Sequence, residues 1–399
     1  MTLDLSATGF SAAMKVLYPK GLAELLYPKC PLLGWMNKST DFVGESKAIV
    51  PFYGGGMGST SFSTALANKK DVKLKKFLVT RVKDYALASV DAETILASGN
   101  DKGAVARALD TQIRGHMYHM ARSAGFQAYS DGTGRRATGD SSWTTTGNTV
   151  TLADSRDIVH FEAGMVLQFE SSGGVLRSGT VEIDSVDREA GAFDTVEADV
   201  SAAVASVANS DFVLRAGDKD NCAAGLSAWV PSTVTATAFF GVDRTADKVR
   251  LGGQRYTGTS SILEEVVIDA CAQAMVNGAS PTTLFLNPLR LAQMNKSQYA
   301  KTAIDVDSTI SGIKYKALSM ATGSGSITMI ADSSCPYATG WLLEKDTWDL
   351  CSLKEFPHFA MDDGKKFQRE ASLDGIEMRI RAFWNIVCTS PMKNMRITW

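Results

Sequence analysis

The sequence predicts an α+β fold interrupted by an all-β module, and three stretches carry that expectation. From Trp143 to Gly217 the texture turns to short alternating runs: "TGNTVTLAD", "GMVLQFESS", "SGTVEIDSVD", "GAFDTVEAD" and "NSDFVLRAGD". Turn residues at close intervals make this a small barrel or sandwich of about 75 residues. Before it, Val105, Leu109, Ile113, Met117, Met120 and Ala124 recur at spacings of four and three. That is one apolar stripe of a helix of about 25 residues, well beyond the usual length. After it, "GIEMRIRAFWNIVC" sets Ile376, Met378 and Ile380 opposite Glu377, Arg379 and Arg381, the pattern of a long half-exposed strand.

The remaining elements follow along the chain. "LYPKGLAELLYPKCPLLGWM", Leu17 to Met36, mixes aromatic and aliphatic residues with Pro19, Pro28 and Pro31, which interrupt any long helix and withhold donors from a sheet. Its apolar surface must pack onto its own domain or onto something else. "SKAIVPFY" (Ser46–Tyr53) and "VKLKKFLVTRVKDY" (Val72–Tyr85) read as two strands of a long excursion. The Gly/Ser/Thr-rich "GGGMGSTSFSTALANKKD" between them reads as a flexible tip. A lone ribbon of this kind is marginal in water and wants a partner surface. Asn100 or Asp101 caps the long helix and "SDGTG" ends it. The polar flanks "RRATGDSS" and "AGDKDN" read as loops, making the β module an insertion. Downstream, Ser261 and Glu264 form a capping box for a helix that turns Leu263, Val267, Cys271 and Met275 inward and ends at Asn277-Gly278. "TTLFLNPLRLAQMN" is a strand breaking at Asn287-Pro288 into a helix, and "GSITMIAD" and "GWLLEKDTWDLCSL" are strands.

Composition narrows the function. A chain of 399 residues holds two or three domains, or one with a large insertion. Hydrophobic residues at 45% and charged residues at 21% supply an ordinary core, and a net charge of −2 argues against general polyanion binding. Six cysteines without a Cys-x-x-Cys pair suit reduced, buried thiols in a cytoplasm. No apolar run approaches the roughly 20 residues of a membrane span, and the N-terminus lacks signal-peptide character.

No constellation supports catalysis, a cofactor or a metal. His116 and His119 share a helix face but lack a third ligand, while His160 and His358 lack companions. "YGGGMGST" omits the Lys-Ser/Thr of a phosphate loop, "TGSGSITM" is not a nucleophile elbow, and "MDDGKK" reads as a turn. The basic run "KKDVKLKK" (Lys69–Lys76) is a solvated strand face or an intersubunit contact.

The order of these elements resembles a major capsid protein of tailed bacteriophages, of the Hong Kong 97-type fold. The segments that carry it are "LYPKGLAELLYPKCPLLGWM", "GESKAIVPFYGGG", "GLSAWVP", "TTLFLNPLRLAQM" and "LDGIEMRIRAFWNIVCTSPMKNM". The resemblance implies an N-terminal arm (1–37), an extended loop (38–86) and a peripheral domain (87–141 with 352–399). It further implies an axial domain (218–351), with the inserted module at 142–217. It implies a structural protein that is not an enzyme. Its partners would be copies of itself in hexamers and pentamers, a separate scaffolding protein, a portal and, optionally, a decoration protein. The resulting icosahedral virion shell would be assembled in the host cytoplasm, around double-stranded DNA held without sequence-specific binding. Tyr18, Tyr27, Leu32, Leu33 and Trp35 of an extended arm, and Lys69, Lys70 and Lys73 of the loop, are then the candidate interface residues. Two alternatives stand beside this reading. One is an encapsulin-type nanocompartment shell of the same fold. The other is a carbohydrate-binding or hydrolytic protein with paired carboxylates, such as Glu170, Asp184 or Glu197, in the β module.

Overall fold

Two sheets and a barrel share the chain. The computed structural model describes residues 26, 29–56, 58–91, 102–298, 305–310, 313–322, 325–361, 367–369 and 375–399. The strand Gly375–Cys388 is the centre of a six-stranded sheet. It pairs along ten residues with the antiparallel strand Val82–Asp91 and also with Trp348–Ser352, His358–Phe359 and Phe367–Arg369. Asn37–Ser39 adds a parallel edge on Trp348–Ser352. Met378, Ile380, Ala382 and Trp384 are buried in alternation, as expected of a half-exposed strand, but from Asn385 to Cys388 every residue is buried. The long helix, Lys102–Tyr129, runs 28 residues and buries Ile113, Met117, Met120 and Ala124 as its stripe requires. The side chains of Val105 and Leu109 lie outside the described residues.

A seven-stranded sheet takes the strands Gln254–Thr257, Met395–Thr398, Thr339–Leu343, Thr283–Leu286, Gly325–Ala331, Ile313–Thr322 and Asp305–Ile310, in that spatial order. The strand Met395–Thr398 joins this sheet, while Gly375–Cys388, earlier in the same C-terminal segment, lies in the six-stranded one. "GWLLEKDTWDLCSL" divides between the two sheets at the 3-10 turn Lys345–Thr347. The helix Leu263–Val276 buries Val266, Val267, Ala270, Cys271 and Ala274 against the seven-stranded sheet. Met275 is exposed, so the inward stripe is shifted from the expected one. Its cap also differs from the expected Ser261–Glu264 box. Ser260 accepts from the Ile262 N–H at 3.1 Å and donates to Glu265 at 2.8 Å. All six cysteines are buried, and none is in a disulfide.

The β module is a closed barrel. Its strands run in the spatial order Arg135–Thr138, Phe212–Arg215, Val166–Glu170, Val181–Asp187, Ala192–Thr195 and Thr149–Thr151. Asp140 N–H donates to Thr151 O, and Ala153 N–H to Thr138 O, each at 2.9 Å, joining the last strand to the first. Inside, Trp143 stacks on Phe169 and Phe161 on Phe193, among Val150, Leu167, Ile183 and Val213. Sequence reading finds five of the six strands but takes Arg135–Thr138 for a polar loop. Both arginines of that strand have carboxylate partners inside the fold, which their charge conceals. Gly134, at φ +84°, stands where an added Cβ would lie 2.5 Å from the Asp218 carbonyl. The chain thus enters and leaves the barrel side by side.

Candidate assembly surfaces

The described part of the N-terminal segment corrects the expectation of an open, extended arm. Pro31–Trp35 is a short helix with all five residues buried. Leu32, Leu33 and Trp35 therefore belong to the subunit's own core, with Trp35 edge-on to Phe285 at 5.3 Å. Proline at the first helical position suits a helix start, since its missing N–H would be unpaired there anyway. Cys30 donates its thiol to Ala121 O at 2.9 Å on the long helix. Asp332, from the seven-stranded sheet, accepts from Leu32 N–H at 3.4 Å and from Tyr129 OH at 3.0 Å. Its other oxygen accepts from Ser334 N–H at 2.9 Å. Burial pushes the Asp332 carboxyl up, against these donors. Tyr18 and Tyr27 lie outside the described residues.

The excursion after this segment is anchored at its base and bare beyond it. Ser46–Ile49 pairs with Phe77–Thr80, and Phe52–Gly54 with Lys73–Leu74, so the single strand expected over 72–85 is broken in three by Lys75-Lys76 and Arg81. At the base, Phe77 is buried edge-on to Trp229 at 5.4 Å, and Leu78 N–H donates to Phe240 O at 3.1 Å. Toward the tip, Phe62–Ala67 forms a helix where a flexible loop is expected, and none of its residues is buried. Phe62 is 84% exposed, Leu66 62% and Val72 61%. Among the described residues, ten of the 21 exposed large hydrophobic side chains fall between Val43 and Leu87. Exposed apolar side chains are thus concentrated in this part of the chain. Lys69, Lys70 and Lys73 stand exposed within it.

Sequence reading misses a charged joint between the barrel and the body. Arg136 is buried, pairs with Asp218 at 3.0 Å and donates to Ser123 of the long helix at 3.3 Å. Arg215 meets Asp218 at 2.8 Å and Asp84 of the strand Val82–Asp91 at 3.5 Å. Arg122 of the long helix meets Glu162 of the barrel at 2.9 Å. Burial pushes the Asp84 carboxyl up and the Arg136 guanidinium down. The sequence signal was the paired arginines in "RRATG" and the aspartate in "AGDKDN", read as solvated flanks. Glu170, one of the three carboxylates considered for a hydrolytic cleft, is buried under Arg135 at 2.7 Å and Lys219 at 2.6 Å. These bonds, Arg135's first, hold its carboxyl below the usual range. Asp184 is exposed, and Glu197 accepts from Glu182 N–H at 3.1 Å. His116 is half-buried and His119 exposed. Among the described residues, no group of three His, Cys, Asp or Glu side chains could hold a metal ion.

No family model matches the sequence, and no curated protein does. Solved structures do match. A chain of the cyanophage A-1(L) capsid asymmetric unit aligns over 92% of this chain and 92% of its own, with a TM-score of 0.53 at 12% identity. The capsid of a native GTA particle aligns over 92% and 89%, with a TM-score of 0.45 at 7% identity. The SrpI encapsulin of Synechococcus elongatus aligns over 92% and 85%, with a TM-score of 0.40 at 8% identity. The fold assignment rests on the first of them: this chain has the fold of the cyanophage A-1(L) capsid chain.

Proposed function

We propose that this chain is the major capsid protein of a tailed phage. In this reading it assembles through hexamers and pentamers into an icosahedral shell of the Hong Kong 97 type around double-stranded DNA. The observation that carries the reading is the ribbon, whose apolar side chains Val50, Phe52, Phe62, Leu66, Val72 and Leu74 stay half or more exposed among the described residues. A monomer gains nothing from Phe62 at 84% exposure, whereas a shell subunit buries such residues against its neighbours. The capsid-type fold supports the same conclusion. The ribbon (within 38–86) is then the extended loop. The long helix and the strand Gly375–Cys388 make the peripheral domain, and the seven-stranded sheet makes the axial one. Lys69, Lys70 and Lys73 act at the subunit boundary. A scaffolding protein, a portal and a decoration protein are the expected partners in the host cytoplasm.

Sedimentation velocity tests this. The wild-type chain sediments as capsomers or shells, and Phe62→Ser with Leu74→Ser shifts it to monomers with an unchanged far-ultraviolet spectrum. Equal sedimentation of wild type and variant as monomers would remove the reading's main support.

A further inference from the structure

We propose that the lysine-rich end of the ribbon docks on the outer face of the barrel of a second copy of this chain. The inference rests on the shell reading above and names one of its contacts. Charge is divided unevenly along the chain. Residues 142–217 hold twelve acidic against four basic residues, net −8, which leaves 37 basic against 31 acidic, net +6, elsewhere. The imbalance is sharpest on one hairpin, where residues 181–199 carry seven carboxylates and a single arginine, Arg188. The opposite imbalance sits at the ribbon, where residues 69–76 carry five lysines and one aspartate.

Both charged segments lie at the surface. Glu182 and Asp184 project from the strand Val181–Asp187 into solvent, and among the described residues neither side chain has an ion-pair partner. Lys69, Lys70, Lys73 and Lys76 are exposed and, among the described residues, equally without an ion-pair partner. Apolar groups accompany the charges on both sides. Val196 is exposed and its N–H donates to Glu182 O at 2.9 Å, while the exposed Val166 pairs across the ladder with Glu182. On the ribbon, Val72 and Leu74 alternate with Asp71, Lys73 and Lys75. Each segment thus carries exposed apolar side chains beside charges of one sign, and the signs are opposite. Unpaired like charges at these densities repel one another until an oppositely charged surface covers them. A second copy supplies that surface at every boundary of a closed assembly, and electrostatic complementarity of this kind fixes which neighbour fits and in what register. The patches lie at the surface, so the contact weakens with salt.

Carbodiimide, which joins a lysine amine to a carboxylate with no spacer, reads the contact directly. Shells are formed from equal amounts of ordinary and nitrogen-15-labelled full-length chain, treated, digested and analysed by mass spectrometry. Mixed-isotope peptides joining residues 69–76 to residues 181–199 are expected. Lys69→Glu with Lys70→Glu and Lys73→Glu should lower shell yield by about tenfold, as should Glu182→Lys with Asp184→Lys. Combining the two sets should restore it. Circular dichroism melting of each variant separates lost assembly from lost folding. Shells that form without such mixed peptides, or a combined variant no better than its parents, would overturn the contact and leave the shell reading standing. A wild-type chain that forms no shells would overturn both.

Discussion

At the scale of single residues, Trp35 and Phe62 separate core from interface. Both are large aromatics in segments that read as exposed from sequence, yet Trp35 is buried against Phe285 and Phe62 faces solvent. Trp35→Ala should cost about 3–5 kcal/mol in urea unfolding, the cost of a large core cavity. Phe62→Ser should cost no more than about 0.5 kcal/mol, because it removes no packing. Comparable losses for the two would contradict this division. The apolar character of "CPLLGW" was legible in the sequence, but its destination was not. Its partners Phe285 and Asp332 lie hundreds of residues later, and local pattern carries no information on such contacts. Two further residues give the barrel a titration signature. Burial, then the charge of Asp154, pushes the Asp157 carboxyl up to about 7. The folded state therefore keeps that proton longer than the unfolded one, and this contribution to stability falls as pH rises from about 4 to about 7. Burial, then Arg136 and Arg122, pushes the His160 imidazole down to about 3. That group adds stability as pH rises through about 3 to 6.5, so the two oppose each other. Asp157→Asn removes one side of the balance. Its thermal midpoint should climb between pH 4 and pH 6.5 more steeply than that of the wild type, and superimposable profiles would refute the assignment.

At the scale of elements, period-two alternation found the barrel's strands because each buries one face in a single small core. The same reasoning failed at Arg135–Thr138, where the inward charges are neutralised by distant acids, and at Phe62–Ala67, where a short helix hides in a Gly/Ser/Thr-rich stretch. Since Leu214 pairs with Arg135, the barrel's two ends are adjacent. Replacing residues 135–215 by a short Gly-Ser linker, with Asp84→Asn and Asp218→Asn to avoid unpaired buried carboxylates, should leave the two sheets folded. Retained near-ultraviolet tryptophan signals from Trp229, Trp341 and Trp384 would report this. Loss of those signals would mean the charged joint organises the body as well as the barrel.

At the scale of the molecule, no single segment suggests the proposed shell protein. The resemblance lies in the order of elements: a segment, a ribbon, a long helix and a central strand. The sequence left open which apolar segments the subunit keeps for itself. The structure assigns Leu32, Leu33 and Trp35 to its own core and leaves the outer part of the ribbon, with Phe62, Leu66, Val72 and Leu74, exposed. The central claim is that this bare surface exists to be covered by further copies of the chain. Electron microscopy of the purified full-length protein, over a range of concentration and ionic strength, tests it most directly. The account predicts closed shells or ring-shaped capsomers; isolated monomers under every condition would contradict it.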